Sequence, residues 1–256
     1  PPVKARGVFL TDTELDAALD GPVSDILWDK RGGKALEDIL TGLITTEFAD
    51  TSVRRILSVA PTPANWRVGE GMAEAFLVDH RECSFPWPSG RDLKNPNASP
   101  AGTDLVGFQR IDDPSRGHRY AFGEVKTSEQ AAWPPGVMDG RHGLKKQLEN
   151  LRDSTAVKDS LVKYLGHHAS GADWFSKYQS ATQRYLANPA DVSLFGILVR
   201  DVDPKPDDLA GRAKELASNC PPSMSIELRA VYLSLGAIST LSSRAMKRKE
   251  GVHVHN

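Results

Sequence analysis

The sequence predicts one α/β domain with a mixed sheet and helical decoration at its N-terminus, and three observations carry that prediction. "DVSLFGILVRDV" (191–202) is a near-continuous apolar run, as expected of a strand in the interior of a sheet. "GTDLVGFQRI" (102–111) and "HRYAFGEVKTS" (118–128) have strand composition and are joined by the turn-rich "DDPSRG", which makes a β-hairpin. Helical patterns stand before and after these strands, the alternation of an α/β chain.

The elements follow in order. In "GGKALEDILTGLITTEFA", Leu36, Ile39, Leu40, Leu43 and Ile44 recur at helical spacing, so residues 1–60 are expected to be a helical region packed on the core. The Pro-marked "SVAPTPANW" ends that region, and "RVGEGMAEAFLVDH" (67–80) reads as the next helix. A weak strand is expected near Glu82–Phe85, then a long loop over "SFPWPSGRDLKNPNASPAG", then the hairpin. Helical stretches come next in "HGLKKQLENLRDSTAVKDSLVKYLG" and "DWFSKYQSATQRYLA", followed by the interior strand. A helix in "PDDLAGRAKELASN" and a strand in "SIELRAVYLSL" complete the pattern, and Ser239–Asn256 is expected to be a helix with a basic tail. Residues 61–256 are read as the main α/β unit, with no internal repeat and no low-complexity tract.

Composition narrows the function classes. Hydrophobic content of 39%, charged content of 25% and five Trp in 256 residues are values of a globular chain, not a disordered one. No apolar run approaches the roughly 18 residues needed to span a bilayer. "PPVKARGVFL" has no apolar signal core and no initiator Met, so a trimmed chain without secretion signal or anchor is expected. Cys83 and Cys220 are too few and too far apart for a disulfide framework or a zinc ribbon, which fits a reducing cytoplasm. A net charge of −1 does not advertise nucleic acid. A site that grips phosphate must therefore concentrate its charge locally or supply it through a metal.

The chemistry concentrates in "YAFGEVKTSE". Glu124 and Lys126 lie two apart in a strand and so project from one face. Alone, such a pair is a salt bridge. Asp104, near the start of the preceding strand, changes that, because the hairpin link is long enough to allow a register that brings it to the same end of the sheet as Glu124, a register that the sequence alone does not fix. Upstream, Glu70 and Glu74 sit four apart on one face of the helix over 67–80, a like-charge spacing that asks for a nearby cation. Two or three carboxylates converging with one lysine are what a hard divalent cation such as Mg²⁺ requires, with Mn²⁺ able to substitute.

Acid on a helix, Asp on a strand and Glu-x-Lys on the next strand is an order that resembles the PD-(D/E)xK nuclease superfamily. The resemblance covers residues 67 to 200 and implies that family's restriction-endonuclease-like α-β-β-β-α-β core. It implies Asp104 and Glu124 as metal ligands, the carbonyl of Val125 as a further one, and Lys126 at the attacking water. The outer helix acid would be Glu70 or Glu74. Gln147 in "GLKKQLENL" matches a family position on the following helix, although Leu151 stands where a Tyr sometimes follows. Asp104 lacks the preceding Pro, which the family often tolerates. Thr127 and Ser128 could donate to a phosphate or simply end the strand. Arg141, Lys145 and Lys146 could supply local charge to a DNA backbone or form a solvated face. "GEGMAEAFL", "GTDLVGF", "FGEVKTS" and "LFGILVRD" together look like the HamA nuclease subunits of Hachiman antiphage systems. That likeness implies a DNA-cleaving defence effector with a helicase/ATPase partner subunit. The pattern with the acid directly after Gly selects Glu70, and a resolvase-like pattern selects Glu74.

Other motifs carry less. "GEGMAE" fails the dinucleotide fingerprint, since its sixth position is Glu and no strand precedes it. His167, His168, His253 and His255 lack partners at metal-ligand spacing and read as surface residues. Trp87 and Trp133 read as loop anchors rather than a base-stacking platform. A repair or restriction endonuclease, and a catalytically silent nuclease-fold DNA-binding or assembly module, are the rival readings. The intact Asp/Glu/Lys set argues against the second.

Overall fold

The computed structural model describes residues 3–58, 62–92, 102–111 and 117–252. The chain opens with β1 (Val3–Phe9) and four helices, α1 (Asp12–Asp20), α2 (Pro22–Leu27), α3 (Lys30–Thr41) and α4 (Glu47–Ser58). Then come α5 (Asn65–Arg81), β2 (Cys83–Ser84), β3 (Leu105–Arg110) and β4 (His118–Ser128). Three helices follow, α6 (Leu144–Asp153), α7 (Thr155–Ala169) and α8 (Phe175–Ala187), and then β5 (Val192–Arg200). The last elements are α9 (Ala210–Ala217), β6 (Ser225–Tyr232) and α10 (Ala237–Val252).

The strands form one mixed sheet in the order β1-β6-β5-β4-β3-β2. β1, β6, β5 and β4 run parallel, while β4-β3 and β3-β2 are antiparallel. The predicted hairpin is present, with Leu105 paired to Gly123 and Arg110 to His118. β5 lies between β4 and β6 and every one of its residues is buried, as its unbroken apolar run demands.

Each face of the sheet has its own apolar layer. Phe108, Tyr120, Phe122, Leu194, Leu198 and Leu228 meet Leu144 and Leu148 of α6, Leu165 of α7 and Ala181 of α8. On the opposite face Ala121, Val125, Ile197 and Val199 meet Val68, Met72 and Leu77 of α5, with α1, α2 and α10 outside them. No helix among the described residues is long and apolar enough to cross a membrane.

Several expectations are corrected. The N-terminal region is helical only from Asp12 onward. Val3–Phe9 is instead an edge strand, in which exposed Lys4 and Arg6 alternate with Val3, Ala5 and Gly7 and which pairs with β6. Leu36, Ile39 and Leu40 do lie on a helix, but Leu43 and Ile44 fall beyond its end, and the stripe is not packed on the core: α3 buries no residue, and Leu36, Ile39 and Leu43 are largely exposed. The helical stretch after the hairpin divides at Ser154, whose extended backbone ends α6 and whose Oγ accepts from Val157 N at 3.3 Å to cap α7. The centre of the long loop (93–101), most of the hairpin link (112–116) and His253 and His255 lie outside the described residues.

Candidate active site

The site forms where the β3-β4 ladder runs out. Leu105 pairs with Gly123, so Asp104 stands level with Glu124, one step past the last pair. The Val125 N–H, which the ladder would otherwise have used, donates to Asp104 Oδ2 at 2.7 Å. Unbroken pairing of β4 with β5 keeps Glu124 and Lys126 on one face, opposite Gly196 and Leu198. Gly196 is needed there, because a Cβ would sit 2.6 Å from Leu148 Cδ1 and 2.7 Å from Leu228 Cδ2.

Glu124 is only 2% exposed, and Lys126 Nζ approaches its Oε2 at 3.8 Å, beyond hydrogen-bonding range. Among the described residues that oxygen has no hydrogen-bond partner. Burial drives the Glu124 carboxyl well above its ordinary range, the Asp104 charge beside it adds to this, and Lys126 opposes both. Asp104 is also raised by burial, against the pull of the Val125 N–H and Lys126. Both carboxyls are thus biased toward their neutral forms, Glu124 in part because the Asp104 charge lies beside it.

α5 delivers the third acid. Glu70 is buried, its Oε2 accepts from Arg67 Nη1 at 2.7 Å, and burial followed by the Asp104 charge pushes its carboxyl up to about 7. Lys126 acts on it as well. Glu74, one turn on, is half-buried, and its carboxyl is raised by burial, Glu70 and Asp29 against Arg67. Of the two acids, Glu70 is the one that feels Asp104 and Lys126, whereas Glu74 lines the adjoining cleft. The helix can lie this close because of Gly69: a Cβ there would sit 2.2 Å from Thr127 Oγ1.

That cleft, about 540 Å³, has Asp104, Glu74 and Arg67 at one end. Its other wall comes from α7 and the loop after β2. His168 stacks on Trp87 with centroids 4.0 Å apart, Tyr164 donates to Asp92 Oδ2 at 2.6 Å, and Trp87 Nε1 donates to Asp92 Oδ1 at 3.1 Å. His168 is thus a cleft residue, not the surface residue its sequence context suggested, while His167 is exposed. Trp133 is the anchor expected: its Nε1 donates to Asp203 O at 3.1 Å.

The remaining candidates divide. Gln147 Oε1 is buried with no partner among the described residues, which an ordinary surface amide would not be. Thr127 Oγ1 is also buried and unpartnered, whereas Ser128 Oγ accepts from Gln130 N at 3.3 Å and so closes the strand end. Arg141 is exposed. Lys145 pairs with Glu215 and, at 3.7 Å, with Glu149, and Lys146 approaches Glu149 at 3.8 Å, so acids already answer both charges. Sequence reasoning missed Arg67, although its i,i+3 spacing to Glu70 was visible. It also missed Tyr164 and His168, four apart on α7, whose partners come from a distant loop.

Among the described residues, no three His, Cys, Asp or Glu side chains are arranged to hold a metal on their own. The donors present are two carboxylates with one free oxygen, a set that suits Mg²⁺, which commonly takes one or two carboxylates and fills its shell with water and phosphate oxygen. No protein-family model matches the chain, and no curated protein matches it.

Proposed function

We propose that this chain is a metal-dependent nuclease of the PD-(D/E)xK type that hydrolyses DNA phosphodiester bonds, as a HamA-like effector of antiphage defence. The observation that carries the reading is Asp104 set beside the buried Glu124, with one Glu124 oxygen unanswered and Lys126 on the same strand face. The order α5, β2, β3, β4, α6, β5 supports a restriction-endonuclease-like core, with α7 and α8 inserted before its last strand.

In this reading Asp104 and Glu124 would hold Mg²⁺ or Mn²⁺, and Glu70 and the Val125 carbonyl would be the further oxygens. When bound, such an ion acidifies water and neutralises charge growing on the phosphate. Lys126, on the same strand face as Glu124, would donate to the attacking water and the phosphate and fix their line of approach. The water oxygen bonds to phosphorus and gives up a proton to solvent, the bond to the leaving deoxyribose oxygen breaks, and that oxygen takes a proton from solvent. Arg67 holds Glu70 in place, and Gln147 offers its amide to the phosphate. A net charge of −1, with Lys145 and Lys146 already engaged, supports a partner subunit that supplies grip on DNA, a helicase/ATPase in the HamA-like case.

One observation favours the silent-module reading instead: no three ligating side chains come together among the described residues. Supercoiled plasmid incubated with Mg²⁺, Mn²⁺ or EDTA separates the two. Metal-dependent nicking by the wild type, lost in Asp104→Ala and Lys126→Ala, is expected. Absence of cleavage together with absence of Mn²⁺ binding would leave the silent module.

A further inference from the structure

The opposite end of the α5-facing side of the sheet holds a second cavity of about 400 Å³. Period two places Lys4 and Arg6 of β1, Glu227 and Arg229 of β6 and Arg119 of β4 on this face, and Arg81 closes it from the last turn of α5. The same strands carry the apolar Ala121, Val125 and Val231 further along, under α5 and its neighbours. Where helical cover stops, the face turns from apolar to cationic.

Five cations meet one lining carboxylate. Both oxygens of Glu227 are taken, by Arg81 at 2.7 and 2.8 Å and by Arg229 at 2.6 Å. Arg119 reaches Asp191 only at 3.9 Å, and Asp191 is already held by Arg184 at 2.8 Å. The side chains of Lys4 and Arg6 make no hydrogen bond or ion pair among the described residues. Arg229 is 6% exposed, yet its buried Nε has no partner there, and strand pairing sets it beside Arg6. Guanidinium groups side by side on neighbouring strands repel. The Phe76 ring lies under Arg81 and Arg229, at 5.4 and 4.9 Å, and steadies them without neutralising them. A fold that gathers this much like charge, part of it desolvated, is complementary to an anion with several oxygens.

We propose that this cavity binds a phosphate group, whose oxygens accept several guanidinium forks at once. The phosphate is either the terminal one of a nucleotide or strand end, or a diester within a strand. The site is independent of the nuclease reading: it uses none of the residues assigned to that chemistry, and its test contains no metal.

The test measures binding of three probes to the full chain in EDTA: inorganic pyrophosphate, a 5′-phosphorylated ten-nucleotide DNA and the same DNA with a 5′-hydroxyl. Lys4→Glu/Arg6→Glu is expected to weaken binding at least ~10-fold, from the loss of two charge-assisted contacts. Both positions are exposed on an edge strand, so folding should persist; if the melting temperature falls, Lys4→Gln/Arg6→Gln is read in its place. Lys163→Glu/Lys214→Glu, exposed and with the same change in net charge, should leave binding intact. Preference for pyrophosphate and the 5′-phosphorylated strand assigns a terminal phosphate, and equal binding of the two strands assigns a diester. If the wild type binds no probe, or if the Lys163/Lys214 reversal weakens binding as much, the proposal falls.

Discussion

Two acid–cation pairs sit near the same end of neighbouring strands, and only one of the acids has both its oxygens answered. Arg200, at the end of β5 opposite Ser128, is fully buried and pairs with the equally buried Asp208. Its Nη2 also donates to the carbonyls of Gln130 and Ala132, and Tyr232 OH donates to the second Asp208 oxygen at 2.7 Å. Every oxygen of that carboxylate is answered. On β4, Lys126 stands 3.8 Å from Glu124, one Glu124 oxygen has no partner, and a second acid crowds the first. A pair that serves the fold saturates its acid. A pair that leaves an oxygen bare keeps room for a cation from outside, and this contrast separates an ion pair from a site better than the spacing of acid and lysine does.

Breaking the complete pair should have the largest effect. Asp208→Ala strands the Arg200 charge in the core, and denaturant unfolding should show a loss of about 4 kcal/mol. Disturbing the incomplete pair should act on chemistry instead. Asp104→Ala and Lys126→Ala are expected to lower plasmid cleavage by on the order of 10²–10³-fold, with little loss of stability. A variant that lost both equally would make the two pairs the same kind of object.

The packing that sets the helix acid against β4 comes next. Gly69→Ala drives a methyl into Thr127 Oγ1, and the expected cost is about 2 kcal/mol by thermal melting. Adding Thr127→Ala removes the obstacle, after which the Ala at 69 should be favourable by about 1 kcal/mol, since Gly is the poorer helix former.

The smallest effect is a pH dependence. Glu70, Glu124 and Asp104 all titrate above their ordinary values. A carboxyl raised on folding contributes stability that is fully present below its unfolded value, near 4.5 for Glu, and is lost as pH rises through its folded value. In EDTA the melting temperature should therefore fall between pH 5 and pH 9, part of the fall coming near 7 from Glu70. Glu124→Gln should flatten that slope, and Mn²⁺ should stabilise the wild type more at the alkaline end. A slope unchanged by Glu124→Gln would remove the charge conflict from the account.

Much of this was legible in the sequence because it is local. The unbroken apolar run of β5, the alternation in β4 and the hairpin link mark three adjacent strands, and with them allow the meeting of Asp104, Glu124 and Lys126. Arg67 could have been read from its spacing to Glu70. What stayed hidden depends on partners far along the chain. β1 is short, only Val3 of it is buried, and its register comes only from β6, far along the chain. Tyr164 and His168 are ordinary helix residues until the loop after β2 brings Trp87 and Asp92 to them. The missing partner of Gln147 is a property of the packed helix and not of its sequence.

The outward-facing α3 and α4 bear on how the molecule opens. α3 buries no residue, and Phe48 and Ile56 of α4 are exposed as well. With little apolar surface withdrawn from water, these helices add little to the free energy that holds the sheet together. Their amides should therefore exchange with deuterium through local fraying, at rates indifferent to mild denaturant, while the β5 amides exchange only when the whole domain unfolds. Two tiers of cooperativity are then expected: a sheet that carries both the carboxylate cleft and the cationic cavity, and an N-terminal helical pair that opens before it.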